Sequence, residues 1–331
     1  MKLTAPWRMD LIFMVSGAAT ALMLRLDTSF SLMRRRTRFL LLPLLLGMAL
    51  LVPPQSYFEV VYKFGYKEDY FSFLKLYFTS YNGFCQNGRC LTLPTWNHLW
   101  FLPYLWLYTL LLWSILKVKP GSLVFAGKLV DPLSKGLGLI IIPTLLIWFL
   151  RLTLFAHFPS THAVLGDWFN HAMYLSMFLT GAVFVSRPAL WRRLKAWRWP
   201  TLFLALGCWA LSLSPSHMFS RPSYHLIIAT MQWGAIVASF GFAQQLLDFD
   251  HPLRRPLSEA VFPVYVLHQT VTIVFSQVLR PLQWPPLIEG PILVALTFLL
   301  SFLGYLAVRR LTTLRPWFGL RPLPNHTRAH P

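Results

Sequence analysis

The chain has 331 residues, of which 56% are hydrophobic and 12% charged, and its mean hydropathy is +0.52. This composition excludes a water-soluble domain and predicts an all-α, polytopic bundle of transmembrane helices. The apolar runs are continuous, which disfavours a β-barrel, whose strands alternate in hydrophobicity. The net charge of +19 is spread between apolar segments, so we expect it to set membrane topology and expect no nucleic-acid partner.

Nine segments have the length and apolarity expected of membrane spans. In chain order they are Arg8–Leu24, Phe39–Gln55, His98–Val118, Gly136–Ala156, Trp168–Val185, Trp199–Pro215, Tyr224–Leu247, Leu257–Leu279 and Leu287–Val308. If alternate connections share one side of the membrane, that side holds 21 of the 30 Lys and Arg residues. The richer side is predicted to be cytoplasmic, which places the carboxyl terminus inside and the amino terminus outside.

These spans predict a transmembrane domain over residues 1–308, with an outer interfacial segment at 53–97, and a basic cytoplasmic tail at 309–331. An amino terminus outside normally follows an insertion signal, and residues 1–6 contain neither a signal peptide nor a span. A missing first helix would explain this orientation, and the alternative is a first span that inserts as a reverse anchor driven by the charges of Arg25–Arg38.

The first span carries Asp10 near its outer end and Ser16-Gly17 in its middle. Small residues of this kind let neighbouring helices approach closely. A carboxylate at the depth of Asp10 needs a polar partner or water. We therefore expect Asp10 to be paired within the helix bundle.

Four arginines, including Arg35 and Arg38, precede the second span. As cytoplasmic charges they set topology. Guanidinium groups also bind phosphates in a bidentate manner. Arg35 and Arg38 are thus candidates for holding the phosphates of an anionic donor, and both interpretations stay open.

Pro53-Pro54 are expected to end the second span, and a long outer segment follows. Its Phe and Tyr residues predict either a helix lying flat at the membrane interface or a groove that stacks on sugar faces. The second interpretation makes Tyr70, Tyr77 and Trp100 acceptor-side residues. Cys85 and Cys90 lie on the predicted oxidising side, where a local disulfide is favoured.

The segment Leu257–Leu279 carries an imidazole close to the bilayer midplane. With a rise of about 1.5 Å per residue, His268 lies roughly 16 Å into this helix. A His facing lipid there costs several kcal/mol, so we expect His268 to face a polar interior, with Thr272 one turn further along the same face. Glu259 opens the helix on its opposite side. Gln232, in the seventh span, is a candidate neighbour of His268.

Three stretches taken together resemble the acyltransferase 3 family of integral membrane O-acyltransferases. They are LIFMVSG at Leu11–Gly17, HLWFLPYL at His98–Leu105 and SEAVFPVYVLHQTV at Ser258–Val271. The basic segment Arg34–Pro43, with Arg35 and Arg38 at an RxxR spacing, and VPPQSYFE at Val52–Glu59 extend the resemblance.

The resemblance implies transfer of an acyl group from a cytoplasmic donor, typically acyl-CoA as co-substrate, to a carbohydrate or lipid-linked glycan on the far side of the cell (inner) membrane. O-acetylation of a cell-envelope polysaccharide is the expected kind of reaction. No bound cofactor and no metal are expected, and the partners are donor, acceptor and membrane lipids.

The expected mechanism is general-base catalysis by a His that deprotonates the acceptor hydroxyl. His268 and His98 are the available bases in this chain. Glu259 is expected to orient a neighbouring Arg or the donor, and Arg35 and Arg38 to hold the donor's phosphates. An aromatic belt with an incidental His is the alternative for His98.

Family members usually begin with one further helix that carries an Arg and a His taken as the catalytic base. This sequence resembles the family from its second span onwards, which implies either a start assigned too late or a degenerate, inactive relative. Two other functions stay open: a transporter or flippase of a small anion or lipid-linked sugar, and a non-catalytic subunit of a glycan-assembly complex.

Overall fold

The computed structural model describes residues 3–86, 89–215 and 218–322, and these residues are mostly helical. The α-helices are α1 (Ala5–Leu26), α2 (Phe30–Leu46), α3 (Val52–Phe64), α4 (Tyr70–Phe78), α5 (Phe101–Val118), α6 (Ser122–Leu129), α7 (Gly138–Thr153), α8 (Trp168–Phe184), α9 (Pro188–Ser212), α10 (Arg221–Leu246), α11 (Arg254–Leu279) and α12 (Pro286–Arg310). Two short strands, β1 (Cys85–Gln86) and β2 (Arg89–Cys90), pair antiparallel, and a disulfide joins Cys85 to Cys90.

The chain divides into two compact units. The first unit comprises Met1–Met33 and Leu107–Asp250, and the second comprises Arg34–Trp106 and His251–Pro331. Along the chain, the division falls within α2, between Met33 and Arg34, and within α5, between Trp106 and Leu107.

An all-α membrane protein is confirmed, because every predicted span coincides with a helix of the described residues. Six helical segments are long and apolar enough to cross a membrane: Ala5–Leu26, Phe30–Phe64, Asn97–Val118, Arg221–Leu246, Arg254–Leu282 and Pro286–Arg310. Helices α8 and α9 meet these criteria only as a pair, which is bent by 112°, and α7 is a shorter apolar helix. The count of nine spans and their orientation stay predictions.

Pro53-Pro54 do not end the helix, because the helical segment continues from Phe30 to Phe64. The end of the second membrane span at these prolines stays a prediction. A π-helical turn, Gly47–Leu51, joins α2 to α3, and the two prolines occupy the first turn of α3. Proline is tolerated there because the first N–H groups of a helix have no partner within the helix.

A tyrosine replaces the hydrogen bond that the prolines remove. In a π-helix each carbonyl accepts from the N–H five residues later, so the partner of the Met48 carbonyl would be Pro53, which has no N–H. The buried Tyr77 hydroxyl donates to that carbonyl at 2.8 Å and also lies 3.1 Å from the Thr95 carbonyl. Burial raises the pKa of Tyr77 to about 12, so this donor keeps its proton at neutral pH.

Removing this hydroxyl by Tyr77→Phe is expected to lower the free energy of unfolding by about 1–3 kcal/mol, because buried carbonyls lose a donor. Thermal unfolding of the detergent-purified protein measures the change. Tyr81→Phe is the matched control, since Tyr81 is 42% exposed. Equal melting temperatures for the two variants would contradict the assignment.

In the first unit, α1 and α8 are packed backbone to backbone through glycines. A methyl group added at Gly17 would collide with the carbonyl oxygen of Phe178, and one added at Gly181 would collide with the carbonyl oxygen of Met14. The prediction that small residues of the first span allow close helix packing is confirmed.

Asp10 is paired, as predicted for a carboxylate within a span. Its side chain is buried, and the Gln232 amide donates to Asp10 Oδ2 at 2.5 Å. Arg151 donates to the Gln232 carbonyl oxygen at 3.3 Å, and its guanidinium group lies over the Phe155 ring. The partners of Gln232 are therefore Asp10 and Arg151, where the sequence had suggested His268.

Candidate active site

His268 lies at the centre of the site in the second unit, on α11. Its Nδ1 is 2.6 Å from the Tyr265 carbonyl oxygen, one turn earlier in the helix. A carbonyl oxygen only accepts hydrogen bonds, so in the neutral imidazole the proton is on Nδ1 and Nε2 carries the lone pair. Within the described residues Nε2 forms no hydrogen bond. Nε2 is therefore available to accept a proton from a substrate.

The structure brings His98 next to His268. The two rings are perpendicular, with centroids 5.3 Å apart. His98 Nε2 is 3.1 Å from the Val266 carbonyl oxygen, and its Nδ1 is 3.3 Å from the Gln55 amide nitrogen. Because the carbonyl can only accept and the amide nitrogen can only donate, both ring nitrogens of His98 are engaged. This geometry favours His268 over His98 as the proton acceptor.

A buried glutamine, not predicted as a site residue, organises this region. Gln55 is 2% exposed, and its amide nitrogen has two hydrogens to donate. One is donated to Thr270 Oγ1 at 2.8 Å, and the other is shared between His98 Nδ1 and the Leu51 carbonyl, which lies at 3.2 Å. Its carbonyl oxygen accepts from Asn97 at 3.3 Å. The Thr270 hydroxyl in turn donates to the Leu51 carbonyl at 2.7 Å. Gln55 thereby links the π-helical turn, the His98 segment and α11.

A cavity of about 210 Å³ adjoins His268 between α11 and α12. Its lining residues are Val264, His268, Thr272, Leu293, Val294, Thr297 and Phe298. His268 and Thr272 share one face of α11, as predicted. We expected His268 to face a polar interior. Most of the side chains that line the cavity beside it are instead aliphatic or aromatic.

Glu259 binds residues at the end of α12 and in the segment that follows. Its carboxylate accepts from Arg315 Nη2 at 3.2 Å and from the Tyr305 hydroxyl at 3.3 Å, and it lies 3.6 Å from Arg309 Nε. Arg315 also donates to two backbone carbonyls, those of Arg309 and Arg321. Through Arg315, residues 309–322 of the predicted tail are thus held against α11 within the second unit. Residues 323–331 lie outside the described residues.

Replacing Glu259 by Gln is expected to loosen this segment, because the Arg315 side chain is only 8% exposed and loses its carboxylate. The expected loss is about 1–3 kcal/mol, below that of a fully buried pair, because Glu259 is itself 27% exposed. Limited proteolysis measures this change, and cleavage near Arg315 is expected to be faster in the Glu259→Gln variant than in the wild type. The exposed Glu68 provides the control variant, Glu68→Gln, and equal cleavage rates for the two variants would contradict the role of Glu259.

Arg35 and Arg38 lie on α2 of the second unit, and both side chains are exposed. Their spacing of three residues places them one above the other on a single helix face. Arg36, between them, is turned away and lies over the Phe39 ring.

The three predicted acceptor-side residues differ in exposure. Tyr77 is buried with its hydroxyl bound to the backbone, which leaves no ring face for a sugar, so its role is structural. Tyr70 is half-buried and packs edge-on against Tyr57, and half-buried Trp100 packs edge-on against Tyr104. Tyr70 and Trp100 keep part of their surface accessible.

The fold and this site define a helical membrane protein with two adjacent imidazoles, one of which has an accessible ring nitrogen beside a cavity. The family model described as an acyltransferase domain, Acyl_transf_3, matches residues 2–306. The chain therefore belongs to the acyltransferase 3 family, and the resemblance of its motifs is confirmed. No curated protein and no solved structure matches it.

Proposed function

We propose that this protein is a membrane acyltransferase that moves an acyl group from an acyl-CoA donor on the cytoplasmic side to a hydroxyl of an extracytoplasmic carbohydrate or lipid-linked glycan. Family membership supplies the class of reaction. The observation that carries the proposal is the accessible Nε2 of His268, whose tautomer is fixed by the Tyr265 carbonyl. An imidazole held in this way is suited to general-base catalysis.

The proposed reaction is a transfer from a thioester to a hydroxyl group. His268 Nε2 takes the proton of the acceptor hydroxyl as its oxygen attacks the thioester carbonyl carbon. The carbon–sulfur bond then breaks, and the departing thiolate takes the proton back from the imidazolium. The products are an oxygen ester and free CoA thiol, and the enzyme returns to its starting state.

Neighbouring residues support this step in distinct roles. His98, which is itself held by Gln55, packs against the His268 ring and limits its movement. The exposed pair Arg35 and Arg38 binds the donor's phosphates, because guanidinium groups pair with phosphate oxygens in a bidentate manner. Glu259 anchors Arg315 and so shapes the cytoplasmic edge of α11.

We assign acceptor contacts to Tyr70 and Trp100, whose rings can stack on sugar faces. The acceptor belongs to the cell envelope, and O-acylation of a polysaccharide is the proposed product chemistry. The excess of Lys and Arg on alternate connections supports nine spans in the inner membrane, with the amino terminus outside and the carboxyl terminus inside.

Cysteine accessibility tests this orientation. Lys2, which lies outside the described residues, and Arg310 are each replaced by Cys in a variant without Cys208. A membrane-impermeant maleimide is expected to label the Lys2→Cys protein in intact cells and the Arg310→Cys protein only after permeabilisation. The reverse pattern would contradict the proposed topology.

Acyl transfer is tested with membranes that contain the full chain and acyl-CoA labelled in its acyl group. We expect label to appear in a glycan or lipid-linked glycan fraction, and membranes without the protein to show none. Label that enters sealed vesicles unchanged would mean a carrier instead, and label that stays as acyl-CoA outside would contradict both functions.

A further inference from the structure

The cavity beside His268 is a cleft with a defined order of side chains. On α11 its lining residues Val264, His268 and Thr272 follow one another at one-turn intervals, a distance of about 12 Å along the axis. The Thr272 and Thr297 hydroxyls are 3.1 Å apart and join the two helices. Tyr305, later in α12, meets Glu259, earlier in α11, so the two helices run antiparallel.

This register fixes where the polar groups lie. Leu293 precedes Thr297 by one turn of α12, so in an antiparallel pair it lies beyond the threonines on the side away from His268. His268, Thr272 and Thr297 therefore lie in the middle of the cleft, with Val264 at one end and Leu293 and Val294 at the other, and the surface that faces the cleft is almost entirely apolar.

The lining restricts the chemistry of the occupant. A sugar ring has several hydroxyls, each of which needs a hydrogen-bond partner once it leaves water. The cleft offers three polar side chains, two of which bind each other. A molecule with one polar group beside the imidazole and a hydrocarbon tail therefore matches this lining better than a sugar does.

The size of the cleft sets the length of that tail. A cavity of about 150 Å³ lined by aliphatic side chains binds benzene, which has six carbon atoms. By proportion, 210 Å³ accommodates about eight carbon atoms. Acetyl would leave most of this space empty.

We propose that the cleft between α11 and α12 binds the hydrocarbon chain of a medium-chain acyl donor, with the thioester carbonyl beside His268 and the tail against Leu293, Val294 and Phe298. This assignment rests on the proposed acyltransferase function and names its donor class. Val294 and Phe298 are 56% and 65% exposed, so the cleft is open along α12 and a chain can enter from the bilayer.

The test compares acetyl-CoA with octanoyl-CoA as donors for the full-length protein in membranes. Leu293→Trp fills the end of the cleft and is expected to lower the ratio of octanoyl to acetyl transfer about tenfold, because roughly two methylene groups lose their contacts. The matched control is Leu299→Trp, which adds the same bulk to the same helix at a residue that is 55% exposed and does not line the cleft. The control is expected to keep the wild-type ratio.

A second variant covers the case in which Leu293→Trp does not fold. Leu293→Ala lengthens the space at that end and is expected to raise the ratio of dodecanoyl to octanoyl transfer. If neither cleft variant changes its ratio while transfer continues, the cleft holds a membrane lipid and the donor assignment is overturned, although the acyltransferase function stands. If the wild type transfers no acyl group at all, the proposed function fails.

Binding without turnover gives an independent result. Octanoyl-CoA with a photoreactive group at the end of its chain is expected to cross-link to α11 or α12 near Leu293, and Leu293→Trp to reduce the yield. Cross-linking confined to other helices would overturn the proposal even in a protein that transfers no acyl group.

Discussion

Replacing His268 by Ala is expected to lower kcat for acyl transfer by about 100- to 10,000-fold, the usual contribution of a positioned general base. The KM for the donor is expected to change little, because the proposed phosphate contacts lie on α2. The substitution removes the proposed base, which is His268 Nε2. This nitrogen carries the lone pair because Nδ1 donates its proton to the Tyr265 carbonyl. Initial rates with labelled acyl-CoA at saturating donor measure both parameters.

The control for this variant is His157→Ala, which removes an exposed imidazole from the first unit. Size-exclusion chromatography of both purified variants establishes that the helix bundle is intact. His98→Ala is expected to reduce the rate less than His268→Ala, because His98 acts through the position of its neighbour. Full activity in both His98→Ala and His268→Ala would show that neither imidazole takes part.

Gly17→Ala is expected to be the most disruptive small substitution in the first unit. The added methyl group meets the carbonyl oxygen of Phe178, which is backbone and cannot rotate away. Helices α1 and α8 must therefore separate, which breaks the reciprocal contact at Gly181. Overpacking of this kind costs about 1–3 kcal/mol, or more where backbone must move. Thermal unfolding in detergent and the yield of folded protein measure it.

A second glycine provides the matched control. Gly207 lies in α9, and a methyl group added there meets nothing within 4 Å. Gly207→Ala is expected to leave stability unchanged or to raise it by up to about 1 kcal/mol, because Ala loses less backbone entropy in a helix than Gly does. Similar melting temperatures for the Gly17 and Gly207 variants would contradict the close packing of α1 on α8.

The features predicted correctly from the sequence rest on the cost of burying polar groups. A carboxylate in an apolar span had to find a partner, and Asp10 has one in Gln232. An imidazole in an apolar span also needed a polar partner, and His268 has one in the Tyr265 carbonyl, although the cavity beside it is mostly apolar and not the polar interior that was expected. In each case the need for a partner could be predicted, and for Asp10 the identity of that partner could not.

The features that sequence reasoning missed depend on contacts between distant parts of the chain. Pro53-Pro54 indicated a helix end, because a proline pair removes two backbone donors. The helix continues because Tyr77, 29 residues from Met48, replaces one of them. Gln55 was missed for the same reason, since its partners His98 and Thr270 are 43 and 215 residues away. A polar side chain at the last residue of the predicted second span was the signal that could have identified it.

The tautomer of His268 tests the central claim most directly. Nitrogen-15 NMR of histidine-labelled full-length protein in lipid nanodiscs, with the signal assigned by its loss in His268→Gln, distinguishes the two ring nitrogens. The proposed mechanism predicts a neutral imidazole with the proton on Nδ1 and an unprotonated Nε2. A proton on Nε2 with a bare Nδ1 would contradict it, because the nitrogen beside the cavity could then accept no proton from a substrate.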